Sequence, residues 1–548
     1  MRLKRAAVVL TFTLLITSIT GCSVPGGKED DTNSAEADTA GGEKVLKVVL
    51  DEPPTLDPQM ANSMPSQTIL YHLGAGLLRM EGGEVNPDGA ESYDVSDDGL
   101  VYTFHLRDDL KWSDGEPMTA GDYEYGFKRL VDPNTASPFA FFGAIVKNGA
   151  EITAGKLSVD EYGVKVLDDK TLEITLQYAA PYFPSMLSNG SFAPARQDYV
   201  EKYGRDFSST ADKNVYSGPF KVKEWHPNEA LILEKNDQYW DKSAVKLDEL
   251  QIEFVKDRQT AFTMFETGEI DLTSVPTLSI AKYKDDPRLF QFHDGSVDYL
   301  KFNVNKSEVA ANKNIRLAFA YAINVEEFAK LRGRGSLEAA RRLVMPDVSG
   351  VEKTYGEEYP YEMCPPAGDE AKAKEYLEKG LQELGMKAED VHLEYLADDS
   401  DGAKEGSEII QERVKKVLGI DINIKLVPYE QVLEMVPKGE YEMTMSGWTP
   451  DYSDPYTYLE LWMSDSAYND SGYSNPEYDK YMKQSQELAT EPKARLDAMF
   501  EAEKILLADA PCIPIDVRRA TYIKSENIKD LDYYFTGYGF NFIRTDLK

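Results

Sequence analysis

Two hydrophobic periods take turns along most of this chain. Apolar residues fall at every second position in VYTFHL at 101–106, TLEITL at 171–176, FKVKEW at 220–225, LQIEFV at 250–255 and INIKLV at 422–427. Such segments predict strands with one packed and one wetted face. In 171–176, Leu172, Ile174 and Leu176 share one face, and Thr171, Glu173 and Thr175 the other. Between the strands the period lengthens. Thr119 is placed to cap a helix in which Tyr123, Phe127 and Leu130 recur at helical spacing. Residues 370–384 and 403–418 predict amphipathic helices with charged outer faces, and 492–509 opens on Pro492, a good first-turn residue. Strands alternating with helices predict α/β layers.

The pattern breaks at the amino end. Arg2, Lys4 and Arg5 precede an apolar run at 6–16 and then ITGC, with Cys22 behind the small pair Thr20-Gly21. A basic start, a short apolar stretch and small residues before a cut site make a secretory signal over residues 1–21. The run is shorter than the roughly 20 apolar residues of a membrane-spanning helix. ITGC resembles the bacterial lipobox, whose cysteine receives a diacylglycerol, although Ile19 stands where Leu is commonest. Two acyl chains suffice for stable anchoring. The plainer reading is an ordinary signal with an incidental cysteine. Residues 22–44 hold no aromatic residue and no hydrophobic period. They cannot bury enough apolar surface to offset chain entropy, so they read as a disordered linker reaching roughly 25 Å.

Composition narrows the function. Hydrophobic residues make up 42% and aromatics 11%, enough for a large core, and 33 tyrosines suit surfaces that hold polar organic ligands. With 95 acidic against 60 basic residues the formal charge is −35, which repels polyanions and excludes a nucleic-acid partner. Cys364 and Cys512 either pair or stand as isolated thiols. The five histidines include no pair at i, i+3 or i, i+4, so no helical metal pair and no metal site are expected. A nucleophile elbow and a phosphate-binding glycine–lysine loop are both missing. The acidic stretch at 108–117 lacks the acid spacing of a calcium loop and reads as a turn. No cofactor and no catalysis are expected.

Several longer segments carry more. They are TLDPQMANSMP at 55–65, the KWSDGEP…ASPFA stretch at 111–140, SGPFKVKEWHPNEALILEKNDQYWD at 217–241 and FETGEIDL at 265–272. NIRLAFAYAIN at 314–324, SGWTPDYSDP at 446–455 and APCIPIDV at 510–517 follow. In this order they resemble the extracytoplasmic peptide-binding proteins of ABC transporters, over nearly all of residues 45–548. The resemblance implies a two-lobed periplasmic-binding-protein-like α/β fold, with an extra domain in one lobe and two hinge strands joining the lobes. Mapped onto this chain, lobe I is 45–75, 199–296 and 520–548, the extra domain 76–198 and lobe II 297–519.

The same resemblance implies the function: a monomeric receptor, tethered to the outer face of the cell membrane through Cys22, that captures short peptides and hands them to permease subunits. A receptor that feeds a cell should grip the uniform backbone and ignore the variable side chains, and extended pairing does this. By resemblance, backbone near Met64 and Thr449 meets the peptide, and Asp451 meets its free α-amino group. On the residues alone Asp451 equally reads as a turn residue between prolines. Phe139, Tyr429 and Trp448 stand at positions where the family places ligand-contacting rings, and each ring alone is equally explained by core packing. Val436 and Met445 occupy positions where the enteric binder has arginines for the peptide's carboxylate, and Arg518 is a substitute cation. A nickel chelate, a glycan, a peptide pheromone or a signalling role are alternatives on the same scaffold.

Overall fold

One eleven-stranded sheet organises the fold. In a computed structural model describing residues 42–536 and 539–548, its strand order begins Asp421–Val427, His392–Asp398, Met443–Trp448. It continues through Leu289–Phe302 and Cys512–Lys524 to Leu272–Ser274, Val45–Val49, Glu249–Glu253, Ala230–Lys235 and Phe220–His226. The signal segment, Cys22 and nearly all of the linker lie outside the described residues. Each strand and helix read from the periodicity is present, with ends within two residues of those expected.

The two central strands, 14 and 13 residues long, carry the chain from one half of the sheet to the other. They are antiparallel, and their pairing slips between His293 and Val297, where 294–296 bulge out. Gly295 takes φ +80° there, and a Cβ on it would meet Phe535 O at 2.6 Å and Pro450 at 2.8 Å. A bulge adds local twist and a point of bending. On one side of it the pair runs beside Leu272–Ser274, and on the other beside Met443–Trp448. Two cores follow. Leu46, Phe220, Leu231 and Phe542 are among the residues of one, and Leu300, Phe319, Tyr478 and Met499 among those of the other.

A four-stranded antiparallel sheet (Ala90–Val95, Val101–Leu106, Thr171–Thr175, Val164–Asp168) stands apart. The helix Ala120–Val131 covers it with Tyr123, Phe127 and Leu130, and Thr119 and Asp122 form the reciprocal cap at its start. Arg129 on this helix grips Asp57 with both terminal nitrogens, at 2.5 and 2.6 Å, and so pins the loop before Met64 to this subdomain. Cys364 and Cys512 are buried and unpaired, which settles the choice left open by their spacing.

Candidate functional site

The loop 449–455 leaves the strand Met443–Trp448 where that strand lies against the bulged crossing strand. Its conformation is set from below. Pro450 packs on Gly295, Thr449 Oγ1 lies 2.8 Å from Ser296 Oγ, and the Tyr458 hydroxyl donates to Gly295 O at 2.8 Å. The Trp448 indole donates to Thr457 Oγ1 at 3.0 Å. At the far end of the loop, Asp454 accepts two 2.7 Å bonds from Arg495 and caps Tyr456 N–H at 2.9 Å.

Asp451 differs from all of these. It is half-buried, yet makes no ion pair among the described residues. Burial alone lifts its carboxyl from the ordinary range to about 7. Glu460, in the short turn Glu460–Trp462, belongs to the same electrostatic neighbourhood. Burial pushes it to about 8, against a 3.1 Å hydrogen bond from the Tyr452 hydroxyl, and Asp451 and Asp454 add repulsion. The Tyr452 ring stacks on Tyr182 of the separate subdomain (centroids 4.4 Å apart, planes 7° off parallel), and Ser453 N–H donates to Ser185 Oγ at 3.4 Å. Two buried carboxyl groups with no cation among the described residues therefore sit where the loop meets the subdomain.

Three cavities lie around this region. The largest, about 490 Å³, runs between the two halves of the sheet and is lined by Met64, Thr68, Asp294, Arg518 and Tyr522. Met64 is 42% exposed, at the start of the helix Met64–Leu73. A second, about 370 Å³, includes Tyr429, Val436, Met445 and again Arg518. A third, about 170 Å³, opens beside Trp448. Arg518 is not a free cation: Asp298 holds it at 2.8 and 3.2 Å, and Gly447 leaves the space for that pair, since a Cβ would stand 2.2 Å from Asp298 Oδ1. Phe139 packs in an aromatic group with Phe141 and Phe142, at 5.0 and 4.6 Å between centroids, and lines none of the three cavities. The structure thus places Trp448 at the end of its strand with Thr449 and Asp451 on the loop that follows, these two lining none of the three cavities, puts Met64 and Arg518 on one cavity wall and Tyr429 on another, and keeps Phe139 with the subdomain. Glu460 was missed by sequence reasoning. Its signal is a lone acid in the apolar run YTYLELW at 456–462. Among the described residues no group of three His, Cys, Asp or Glu side chains is disposed to hold a metal ion, and no helix is long and apolar enough to cross a membrane.

The sequence profile described as "Bacterial extracellular solute-binding proteins, family 5 Middle" matches residues 84–470, which is more than half of the chain. The chain belongs to this family. Among family 5 relatives, the dipeptide-binding protein DppE of Bacillus subtilis is 33% identical over 537 residues, covering 97% of this chain and 96% of DppE. The structure of Listeria monocytogenes OppA bound to peptide superposes with a TM-score of 0.74 at 33% identity, covering 92% of this chain and 99% of OppA. The unliganded open form of the murein tripeptide-binding protein MppA superposes with a TM-score of 0.79 at 27% identity, covering 92% and 97%. The family's two-lobed fold is the one described above, with the two long strands passing between the lobes.

Proposed function

We propose that this family 5 protein captures short peptides by their free α-amino group and backbone, in the cleft between its two lobes. The observation that carries this is Asp451: a half-buried carboxyl group with no countercharge, on a loop fixed from below, with a second buried carboxyl, Glu460, in the same electrostatic neighbourhood. Desolvation without a partner costs folding stability, so the arrangement is favoured when a cation arrives from outside the chain. An ammonium fits, and the names of the relatives add a dipeptide, a peptide and a murein tripeptide as what those proteins bind. Met64 and Thr449 are both exposed residues, and in this reading their backbone meets the peptide by extended pairing. The bulge at 294–296 is the bending point in this reading. Tethering through Cys22 and delivery to a permease complete the reading, on the strength of the amino-terminal sequence and the family.

Calorimetry with a three-residue alanine peptide and its N-acetylated twin tests the central claim. The free peptide is expected to bind in the nanomolar-to-micromolar range and the acetylated one at least tenfold more weakly. Equal affinities would overturn the claim.

A further inference from the structure

The 170 Å³ cavity beside Trp448 has a chemistry of its own. Rings of Trp448, Trp462, Tyr468 and Tyr299 make much of its wall, and Trp448 and Tyr468 meet edge to face at 5.5 Å. Its polar end is an ion pair. Lys301 Nζ lies 2.5 Å from Asp470 Oδ1, and the same oxygen accepts the Tyr441 hydroxyl at 2.6 Å. The Lys301 side chain is only 8% exposed and that of Asp470 15%. Trp462 is buried as well, and its indole N–H has no acceptor. Asn469 is already committed, its amide donating to Met463 O and Tyr473 O.

An ion pair in such a place is neutral as a whole but bifunctional. The ammonium has further hydrogens to give, and the second carboxylate oxygen has lone pairs to share. A carboxylate entering the cavity would be repelled by Asp470, and an ammonium by Lys301, at short range and low dielectric. A purely apolar tip would fill the space and leave both offers unanswered. A primary carboxamide answers both, carbonyl oxygen toward Lys301 and NH₂ toward Asp470. Its short aliphatic stem suits the aromatic walls, and an engineered cavity of about 150 Å³ is known to hold a benzene-sized guest.

We propose that this cavity is a specificity pocket for a glutamine- or asparagine-type side chain near the amino end of the bound peptide. The proposal rests on the reading of the cleft as a peptide site. Trp448 and Tyr468 connect the two: Trp448 is three residues from Asp451, and Tyr468 feels the charge of both Asp451 and Glu460.

The experiment measures binding of three-residue alanine peptides carrying Gln, Glu, Lys or Leu in turn at each position. One position should show Gln favoured at least fivefold over Leu, Glu and Lys alike. Lys301→Met should bring the Gln-to-Leu ratio toward one. Because that change can disturb folding by stranding Asp470, Trp462→Phe serves as the gentler variant, and it should lower the same ratio severalfold. If the alanine peptide binds but no position prefers Gln, the pocket assignment falls and the peptide reading stands. If a Gln preference exists and neither variant changes it, the pocket assignment also falls. If no free-amino peptide binds at all, both readings fall together.

Discussion

The two ends of the loop 449–455 carry the same chemical group in opposite circumstances. At its base, Asp454 is buried against the Arg495 guanidinium in a two-pronged pair and also caps a backbone N–H. At its tip, Asp451 is desolvated, in the electrostatic neighbourhood of a second buried carboxyl, and has no cation. A balanced buried charge is part of the scaffold, because removing either member strands the other. An unbalanced one is a standing cost that the scaffold tolerates, and such costs gather at sites of function. A third carboxylate on the cleft side, Asp298 with Arg518, falls in the first class.

The comparison breaks most visibly in stability. Asp454→Ala should cost about 3–5 kcal/mol, because Arg495 is then left charged and unpaired among Tyr182 and Tyr452. Asp451→Asn should cost nothing, or stabilise the unliganded protein slightly. Urea unfolding of both variants checks this, and equal losses would erase the distinction between the two ends.

Binding should show the opposite order. A hydrogen bond to a charged group is worth about 1.5–3 kcal/mol, so Asp451→Asn should weaken a free-amino peptide by about tenfold to a hundredfold. A double-mutant cycle sharpens the claim: the N-acetylated peptide has already lost the ammonium, so it should lose little more on the Asn variant. Additive losses in calorimetry would place the contact elsewhere.

Much of this was legible in the chain, and the limit is physical. The alternating strands and the capped helix Ala120–Val131 are local, period-driven features, and they appear where the pattern puts them. The crossing strands are harder. HDGSVDYLKF at 293–302 contains a glycine and two acids, and only its partner, Cys512–Lys524, makes it a central strand. Arg518 shows the same limit at a single residue. Sequence can nominate it as a cation, but Asp298, 220 positions away, already neutralises it, and no local pattern announces that. Glu460 becomes conspicuous only once the fold sets it beside Tyr452 and within reach of the charge on Asp451.

The pH dependence follows from the same asymmetry. Burial holds the Asp451 carboxyl near 7 when no cation is present, so at pH 5–6 it is mostly protonated. An incoming ammonium favours the ionised form, so binding should release protons there. Affinity should rise by up to about tenfold per pH unit toward 7 and decline once the peptide's own amino group, near 7.7–8.0, begins to deprotonate. Calorimetry in buffers of different ionisation enthalpy reads the proton count directly. A flat profile, or proton uptake at pH 6, would contradict an uncompensated carboxylate at the contact.

The smallest effect concerns the bending point. His293 sits at the edge of the bulge, with Nδ1 2.5 Å from Asp347 Oδ2 and Nε2 3.3 Å from Glu338 Oε2. The hydrogen bond to Asp347 holds the imidazolium above its usual range, against the opposing pull of partial burial. A raised folded-state pKa means that the contribution to stability is complete below the unfolded value of about 6.5 and is lost as pH climbs through the folded value. Both acids are nearly half exposed, at 46% and 48%, so solvent and salt screen the pair and the contribution should stay under about 1 kcal/mol. His293→Gln should therefore lower stability at pH 6 slightly and not at all at pH 9, with the difference shrinking in high salt. Thermal unfolding at the two pH values decides it. A loss that is equal at both would mean that packing beside the bulge, and not the charge, is what His293 supplies.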